Sequence, residues 1–322
     1  MDEFRFIDSI KPSYYRQSSV IKGVGDDGAV IQPNIGHELV ISTDTMVDQI
    51  HFNLNNMSLE DVGYRVMVAN ISDLAAMGSS PLYYIVNISA PNSVTNEDLL
   101  YVYQGMNDIA SQYRMDLIGG DTTSGHDLVI SVTVFGNVSP KKKRLRSSAQ
   151  IGDIVFTTGY LGEAGYGLSL LDSHKHDKLN YFVQRHIRPQ PRVDFVRVTT
   201  NVNRICLNDV SDGISSELNE IANASNVSIE IDWDKVPIHK DMNHLEHSRL
   251  KQLALSAGED FELVGTCSKG DWKLVRSLCE KDDIKVTEIG KVINRGEEPS
   301  VYLNEFGEKL SLDQSGYQHG NS

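Results

Sequence analysis

The chain has 322 residues, 40% of them hydrophobic, and a formal net charge of −14. That length allows two domains or one large one, and the acidic balance argues against a nucleic-acid-binding face, which would need to be basic. Cys206, Cys267 and Cys279 form no C-x-x-C pair, the opening Met1-Asp2-Glu3-Phe4-Arg5 is too charged for a secretory signal, and no apolar run approaches a membrane span, so a cytoplasmic protein with no membrane partner is expected.

The first motif is Gly23-Val24-Gly25-Asp26-Asp27-Gly28, which fits G-x-G-x-x-G. A dinucleotide loop opens a helix, whereas Ala29-Val30-Ile31 and Pro33 read as a strand, and two carboxylates would repel a pyrophosphate. A metal-loading loop is the better reading. Leu39 to Ile41 then reads as a buried strand whose C-terminal end presents Asp44 in Ser42-Thr43-Asp44. His51 follows, more simply structural unless Asp44 marks a site. Ser58 opens a helix with Asp61 at the capping-box position and Gly78 as the stop. At 100° per residue Asp73 falls within ~20° of Val62 and Val66, on the apolar face, where an uncompensated carboxylate would be costly.

Leu82 to Ser89 reads as a strand, Thr95 caps a helix to about Arg114, Met115 to Ile118 is a strand ending in Gly119-Gly120-Asp121, and Leu128 to Val138 is a long strand. The polar, basic stretch Pro140 to Ser148 is the candidate boundary between a domain at 1–140 and another at 149–322; Lys141 to Arg144 within it reads as a solvated loop, and Arg146 as a phosphate clamp.

Asp153 to Thr158 is the next strand. The glycines from Gly159 to Gly167 then enter a helix, as either a phosphate cradle or a tight, closely packed turn. A polar loop spans His174 to Asn180, and a helix follows Pro191. Strands are expected over Ile205 to Val210, Val227 to Ile231 and Phe261 to Val264, with a helix over Gly213 to Ala224. His244 and His247 lie three apart on an expected helix, without a third zinc ligand. Cys206 lacks a histidine partner for nucleophilic chemistry. Alternating strands and helices make the class α/β or α+β.

Seven aspartates thus sit at the ends of apolar runs in small or hydroxyl-rich contexts: Asp26, Asp27, Asp44, Asp73, Asp121, Asp209 and Asp212. Each alone is a plausible cap or turn residue. Jointly they point to oxygen ligands for Mg²⁺, dispersed and not packed in one EF-hand loop.

Those segments, in order, together with Val68-Ala69-Asn70-Ile71-Ser72-Asp73-Leu74-Ala75-Ala76-Met77-Gly78, Gly258-Glu259-Asp260-Phe261-Glu262-Leu263 and Gly316-Tyr317-Gln318-His319, resemble the thiamine-monophosphate kinases, of the superfamily that includes aminoimidazole ribonucleotide synthetase. The resemblance implies a two-domain fold, with an N-terminal ATP- and Mg-binding domain whose sheet forms a shared barrel in a homodimer and a C-terminal α/β domain closing over nucleotide and substrate. It implies ATP-dependent phosphorylation of thiamine monophosphate to thiamine diphosphate, with no catalytic side-chain nucleophile. Asp27, Ser42, Thr43, Asp44, Asp73, Asp121, Asp209 and Asp212 match magnesium ligands. Gly120, Asp121, Arg146 and Ser211 match ATP contacts, and His51, Glu259 and Tyr317 match thiamine-phosphate contacts. Gly28 stands where alanine or cysteine is usual, and Gln314 where a tryptophan often stands. The rivals are a non-catalytic nucleotide- or metal-binding module and another ATP-using enzyme of the superfamily. Of the latter, selenophosphate synthetase wants an N-terminal cysteine and the hydrogenase-maturation protein a C-terminal one, and neither cysteine is present.

Overall fold

Apolar alternation and helix caps divide the chain into strands and helices that form two compact units. The computed structural model describes residues 3–25, 27–173 and 179–314. One unit comprises Met1–Leu74 and Ser79–Lys141, the other Ala75–Gly78 and Lys142–Ser322.

The first unit begins with helix α1 (Glu3–Ile10) and the antiparallel pair β1 (Val20–Lys22) and β2 (Val30–Ile31). The strand expected after the glycine loop is therefore present, and the dinucleotide reading falls with it. Strand β3 (Glu38–Val47), helix α2 (Leu59–Ala76), β4 (Ser80–Ala90), α3 (Asn96–Gln112), β5 (Asp116–Ser124) and β6 (Val129–Val138) follow. The four longer strands form one sheet in the order β3-β6-β4-β5, antiparallel except for the β4–β5 pair. Even-numbered residues of β6, Ile130, Val132 and Val134, are fully buried, while Ser131 and Thr133 are only half-buried. One face is thus packed and the other polar.

Helix α2 starts where Ser58 receives the Asp61 amide at 3.2 Å and donates its hydroxyl to the Asp61 carboxylate at 2.7 Å. It ends where Gly78 adopts φ +72° and Ser79 donates its amide to Leu74 O at 2.8 Å. Thr95 and Asp98 make the reciprocal capping box of α3. The two helices approach closely: a Cβ on Gly63 would lie 1.9 Å from Val102 O, and one on Gly105 would lie 1.7 Å from Glu60 O.

The second unit contains β7 (Ile154–Thr158), α4 (Glu163–Asp172), α5 (Tyr181–Ile187), α6 (Val193–Val198), β8 (Ile205–Asp209), α7 (Ile214–Ser225), β9 (Ser228–Asp232), α8 (His247–Ser256), β10 (Leu263–Cys267), α9 (Lys269–Lys281), β11 (Val286–Ile293), β12 (Val301–Glu305) and β13 (Glu308–Ser311). Its seven-stranded sheet runs β13-β12-β9-β11-β7-β10-β8. All five residues of β7, β10 and the edge strand β8 are buried, so both faces are covered at this end of the sheet. The register pairs Leu263 with Asp209 and Val264 with Thr157. The loops after β7 and β8 and the loop before β10 therefore emerge at the same sheet end.

Several sequence expectations need correction. Asp44 does not end its strand. Pairing of β3 with β6 continues from Glu38–Val138 to Val47–Val129, because Ser42, Thr43 and Thr45 tolerate a half-exposed sheet. Likewise Gly119, Gly120 and Asp121 lie inside β5. Helix α5 was not expected. Arg144 is not solvated: it is 3% exposed, its guanidinium donates to Thr199 O at 2.8 Å, and burial lowers its pKa to about 10. His244 precedes α8, so it shares no helix with His247, which instead meets Glu305 at 2.6 Å.

Candidate functional site

In the first unit, the inner face of β3 and the facing side of α2 bring acids and hydroxyls together. Ser42 Oγ donates a short hydrogen bond to Asp73 Oδ2. Asn70, one turn before Asp73, accepts the Asp44 amide at 3.0 Å and is itself oriented by donating to Val66 O at 2.8 Å. Asp44 and Asp73 therefore hang from one strand–helix contact, Val62 and Val66 lying fully buried along the same helix. Thr43 faces the opposite side, where it accepts from Thr133 at 3.1 Å and donates to Val132 O at 3.0 Å.

Asp121 belongs to that second face. The register aligns Thr45, Ser131, Asn87 and Asp121 in one row across the sheet, and the Thr45–Ser131 hydroxyl contact of 2.6 Å follows from it. Gly120 is the next row's residue, aligned with Val86; a Cβ there would come within 2.1 Å of Val86 O. Asp27 lies in the exposed loop after Gly25, whose φ of +109° suits glycine. The space around Gly28 is open, so alanine in its place would meet nothing within 4 Å. His51 Nδ1 accepts the Val47 amide at 3.1 Å, which leaves the proton of the neutral ring on Nε2.

In the second unit, β8 delivers Asp209, and the turn to α7 delivers Ser211 and Asp212. Arg146 is anchored beside them: its Nε donates to Asn208 Oδ1 at 2.9 Å, and its Nη1 lies 3.1 Å from Glu220. Glu217, on the first turn of α7, accepts the Asp212 amide at 3.0 Å and a hydrogen bond from Asn208 Nδ2. Burial, then the charge of Asp209, pushes its carboxyl up to about 9. Glu259 sits in a loop stitched to the same turn, its amide donating to Ser211 O at 2.7 Å. Tyr317 lies outside the described residues.

The glycine-rich entry to α4 is not an open phosphate cradle. Asp260 already occupies it, accepting the amides of Gly162 at 2.7 Å and Ala164 at 2.9 Å. The glycines serve close packing: a Cβ on Gly165 would meet Ala257 at 2.4 Å, and one on Gly167 would meet Phe182 O at 1.9 Å. The tight-turn alternative is therefore the correct one.

Sequence reasoning passed over Asn70, Asn208 and Glu217. Asn70 was findable from its i, i+3 spacing to Asp73. Glu217 had no such signal, because its importance comes from burial beside Asp209.

Among the described residues no three His, Cys, Asp or Glu side chains gather into a metal-holding group. The donors come instead as carboxylates beside hydroxyls, all of them oxygen. Magnesium commonly takes one or two carboxylates and completes its shell with water and substrate phosphate, so this donor set fits it.

Comparison with known proteins agrees with the fold. Residues 25–138 match the AIR synthase related protein N-terminal domain, and residues 150–302 match the corresponding C-terminal domain. The chain is 44% identical over 325 residues to the thiamine-monophosphate kinase of Bacillus subtilis, covering 99% of each, and 31% identical to that of Escherichia coli, covering 98% of this chain and 96% of the relative. The crystal structure of the Stenotrophomonas maltophilia thiamine-monophosphate kinase matches with a TM-score of 0.84 at 31% identity, over 96% of this chain and 98% of that one. The structure of AaThiL complexed with AMPPCP and TMP matches with a TM-score of 0.76 at 28% identity, over 98% of this chain and 96% of that one.

Proposed function

The chain belongs to the thiamine-monophosphate kinase family of AIR synthase related proteins, and we propose how its own residues carry out that family's reaction, the ATP-dependent phosphorylation of thiamine monophosphate to thiamine diphosphate. A phosphate oxygen of thiamine monophosphate forms a bond to the γ-phosphorus of ATP, the bond to the β,γ-bridging oxygen breaks, and ADP leaves. The attacking phosphate is largely ionised at neutral pH, its second pKa being about 6, so no side-chain nucleophile or strong base is required. The protein's task is placement of two polyanions and cancellation of their charge.

Asp27, Ser42, Thr43, Asp44, Asp73, Asp121, Asp209 and Asp212 are the residues that would hold magnesium, which when bound neutralises phosphate charge. Arg146, Ser211, Gly120 and Asp121 contact the nucleotide. Arg146 is half-exposed and braced by Asn208 and Glu220, so its guanidinium is oriented without being consumed. Gly120 has no side chain to crowd Val86 O, so β5 keeps its backbone tight against β4 beside Asp121. His51, Glu259 and Tyr317 contact thiamine monophosphate, Glu259 supplying a negative charge for the cationic thiazolium.

The observation that carries this assignment is the meeting of Asp73 and Ser42 across α2 and β3. It gives Asp73 a partner on a helix face shared with Asn70, Val62 and Val66. ADP release measured with thiamine monophosphate, thiamine and aminoimidazole precursors tests it. Turnover confined to thiamine monophosphate supports the kinase; nucleotide binding without turnover supports a binding module instead.

A second copy of the chain completes the first unit. Strand β3 is an edge strand, and Leu39 and Ile41 on its polar face are 45% and 57% exposed. Apolar residues on an uncovered edge favour pairing with another chain. No helix among the described residues is long and apolar enough to cross a membrane, and the buried free thiols of Cys206, Cys267 and Cys279 suit the cytoplasm.

A further inference from the structure

We propose that Arg185 and Arg192, acting through the buried carboxylate of Glu262, are positioning residues that hold Glu259 in place; this rests on the reading of Glu259 as a thiamine-phosphate contact. The loop before β10 is strained. Gly258, Glu259 and Phe261 have φ of +70°, +59° and +49°. Such a conformation is costly for Glu and Phe, and it persists only where surrounding contacts over-determine it.

Those contacts come from three directions, one of them the Asp260 carboxylate seated on the Gly162 and Ala164 amides. On one side the loop is stitched to the β8–α7 turn: the Glu259 amide donates to Ser211 O at 2.7 Å, the Phe261 amide to Val210 O at 3.0 Å, and the Val210 amide to Glu262 O at 2.7 Å. On another side Glu262, with no exposed surface, accepts both Nε and Nη2 of Arg192, Nη2 of Arg185 at 2.9 Å and the hydroxyl of Thr158 at 2.6 Å. Burial opposes its ionisation, yet Arg192 and then Arg185 hold its carboxyl below the ordinary range. Arg185 also donates to Glu163 at 2.9 Å, so two arginines meet two buried carboxylates.

The next residue on α5, His186, brings Nδ1 within 3.9 Å of Glu259 Oε2. One helix thus holds the anchor of the loop through Arg185 and places His186 beside its tip, beyond hydrogen-bond distance of Glu259. A purely structural ion cluster would have no reason to end in a strained loop presenting a half-exposed acid. Because the same loop is bonded to Ser211, Glu259 and the Asp209–Asp212 turn are held as one piece.

The test uses the full chain and the conservative variants Arg192→Lys and Arg185→Lys, which keep the charge but lose the fork geometry. In Arg192→Lys, the KM for thiamine monophosphate is expected to rise about 3- to 30-fold, with smaller changes in kcat and in the KM for ATP, which reach the loop only through the Ser211 turn. The double variant Arg192→Lys/Glu259→Gln should be no worse than Glu259→Gln alone, since the arginine acts through the acid. Hydrogen exchange at the Glu259 and Phe261 amides reads the clamp without substrate and should accelerate in either lysine variant. Unchanged amide protection in a folded variant, or additive losses in the double variant, would overturn the proposal. If protection falls while Glu259→Gln leaves KM unchanged, the loop clamp stands and the substrate reading of Glu259 fails. Should Arg192→Lys not fold, Arg185→Lys carries the same readouts.

Discussion

Ser42 on β3 donates its hydroxyl to the carboxylate of Asp73 on α2, thirty-one residues away in sequence. The contact joins a hydroxyl and an acid that both expect a cation, and it does so beside Asp44, whose amide is fixed by Asn70.

Replacing Asp44 or Asp73 with Asn should abolish most turnover while leaving the fold intact. An amide keeps the shape and hydrogen-bonding capacity but lacks the charge that binds magnesium. Without magnesium, loss of one carboxylate from an acidic region should raise the melting temperature slightly. Turnover at the wild-type rate in Asp44→Asn would remove it from the ligand set; calorimetry with and without magnesium gives the stability arm.

The acceptor must be a phosphate. The phosphate of thiamine monophosphate brings its own charge, whereas the hydroxyl of free thiamine would need an oriented base to take its proton. Free thiamine should therefore not be phosphorylated, which a coupled ADP assay at equal concentrations of the two acceptors measures directly.

Glu217 should impose a pH dependence on stability. Its folded pKa is raised to about 9, mainly by burial. A raised folded value means that its contribution is fully present below the unfolded pKa of about 4.3 and is lost as pH rises through the folded one. Glu217→Gln imitates the neutral form, so its melting temperature should gain on the wild type as the pH is raised from about 5 to 9. A gap that stays constant over that range would show that the carboxyl does not titrate there.

Ile41→Asp should weaken self-association. The side chain is 57% exposed on an edge strand, and a charge there opposes strand pairing and apolar burial. Light scattering at micromolar concentration should give a dimer for the wild type and a smaller mass for the variant. A monomeric wild type would count against the second copy.

Local signals made much of the fold legible. Ser58 with Asp61 and Thr95 with Asp98 marked the starts of α2 and α3, and periodicity placed Asp73 on the inward side of α2 with Val62 and Val66. These depend on contacts within a few residues, so single-sequence reasoning reaches them. The lengths of β3 and β5 were not legible. Whether Asp44 and Asp121 lie inside or beyond their strands depends on how far β6 and β4 extend alongside them, and a partner strand leaves no mark on the sequence it pairs with.

The sequence by itself determined the candidates for the chemistry: hard oxygen donors next to glycines and hydroxyls, in an order that matches one enzyme family. Only the tertiary structure decided what those residues touch. The Gly159–Gly167 segment looked equally like a phosphate cradle and a packed turn until Asp260, about a hundred residues on, proved to occupy the α4 amides. Arg185 and Arg192 carried no motif at all, yet through Glu262 they hold the strained loop of Glu259. The reason is physical: donor type is a property of one residue, whereas burial, ion pairing and the occupant of a helix terminus depend on segments that meet only after the chain has folded.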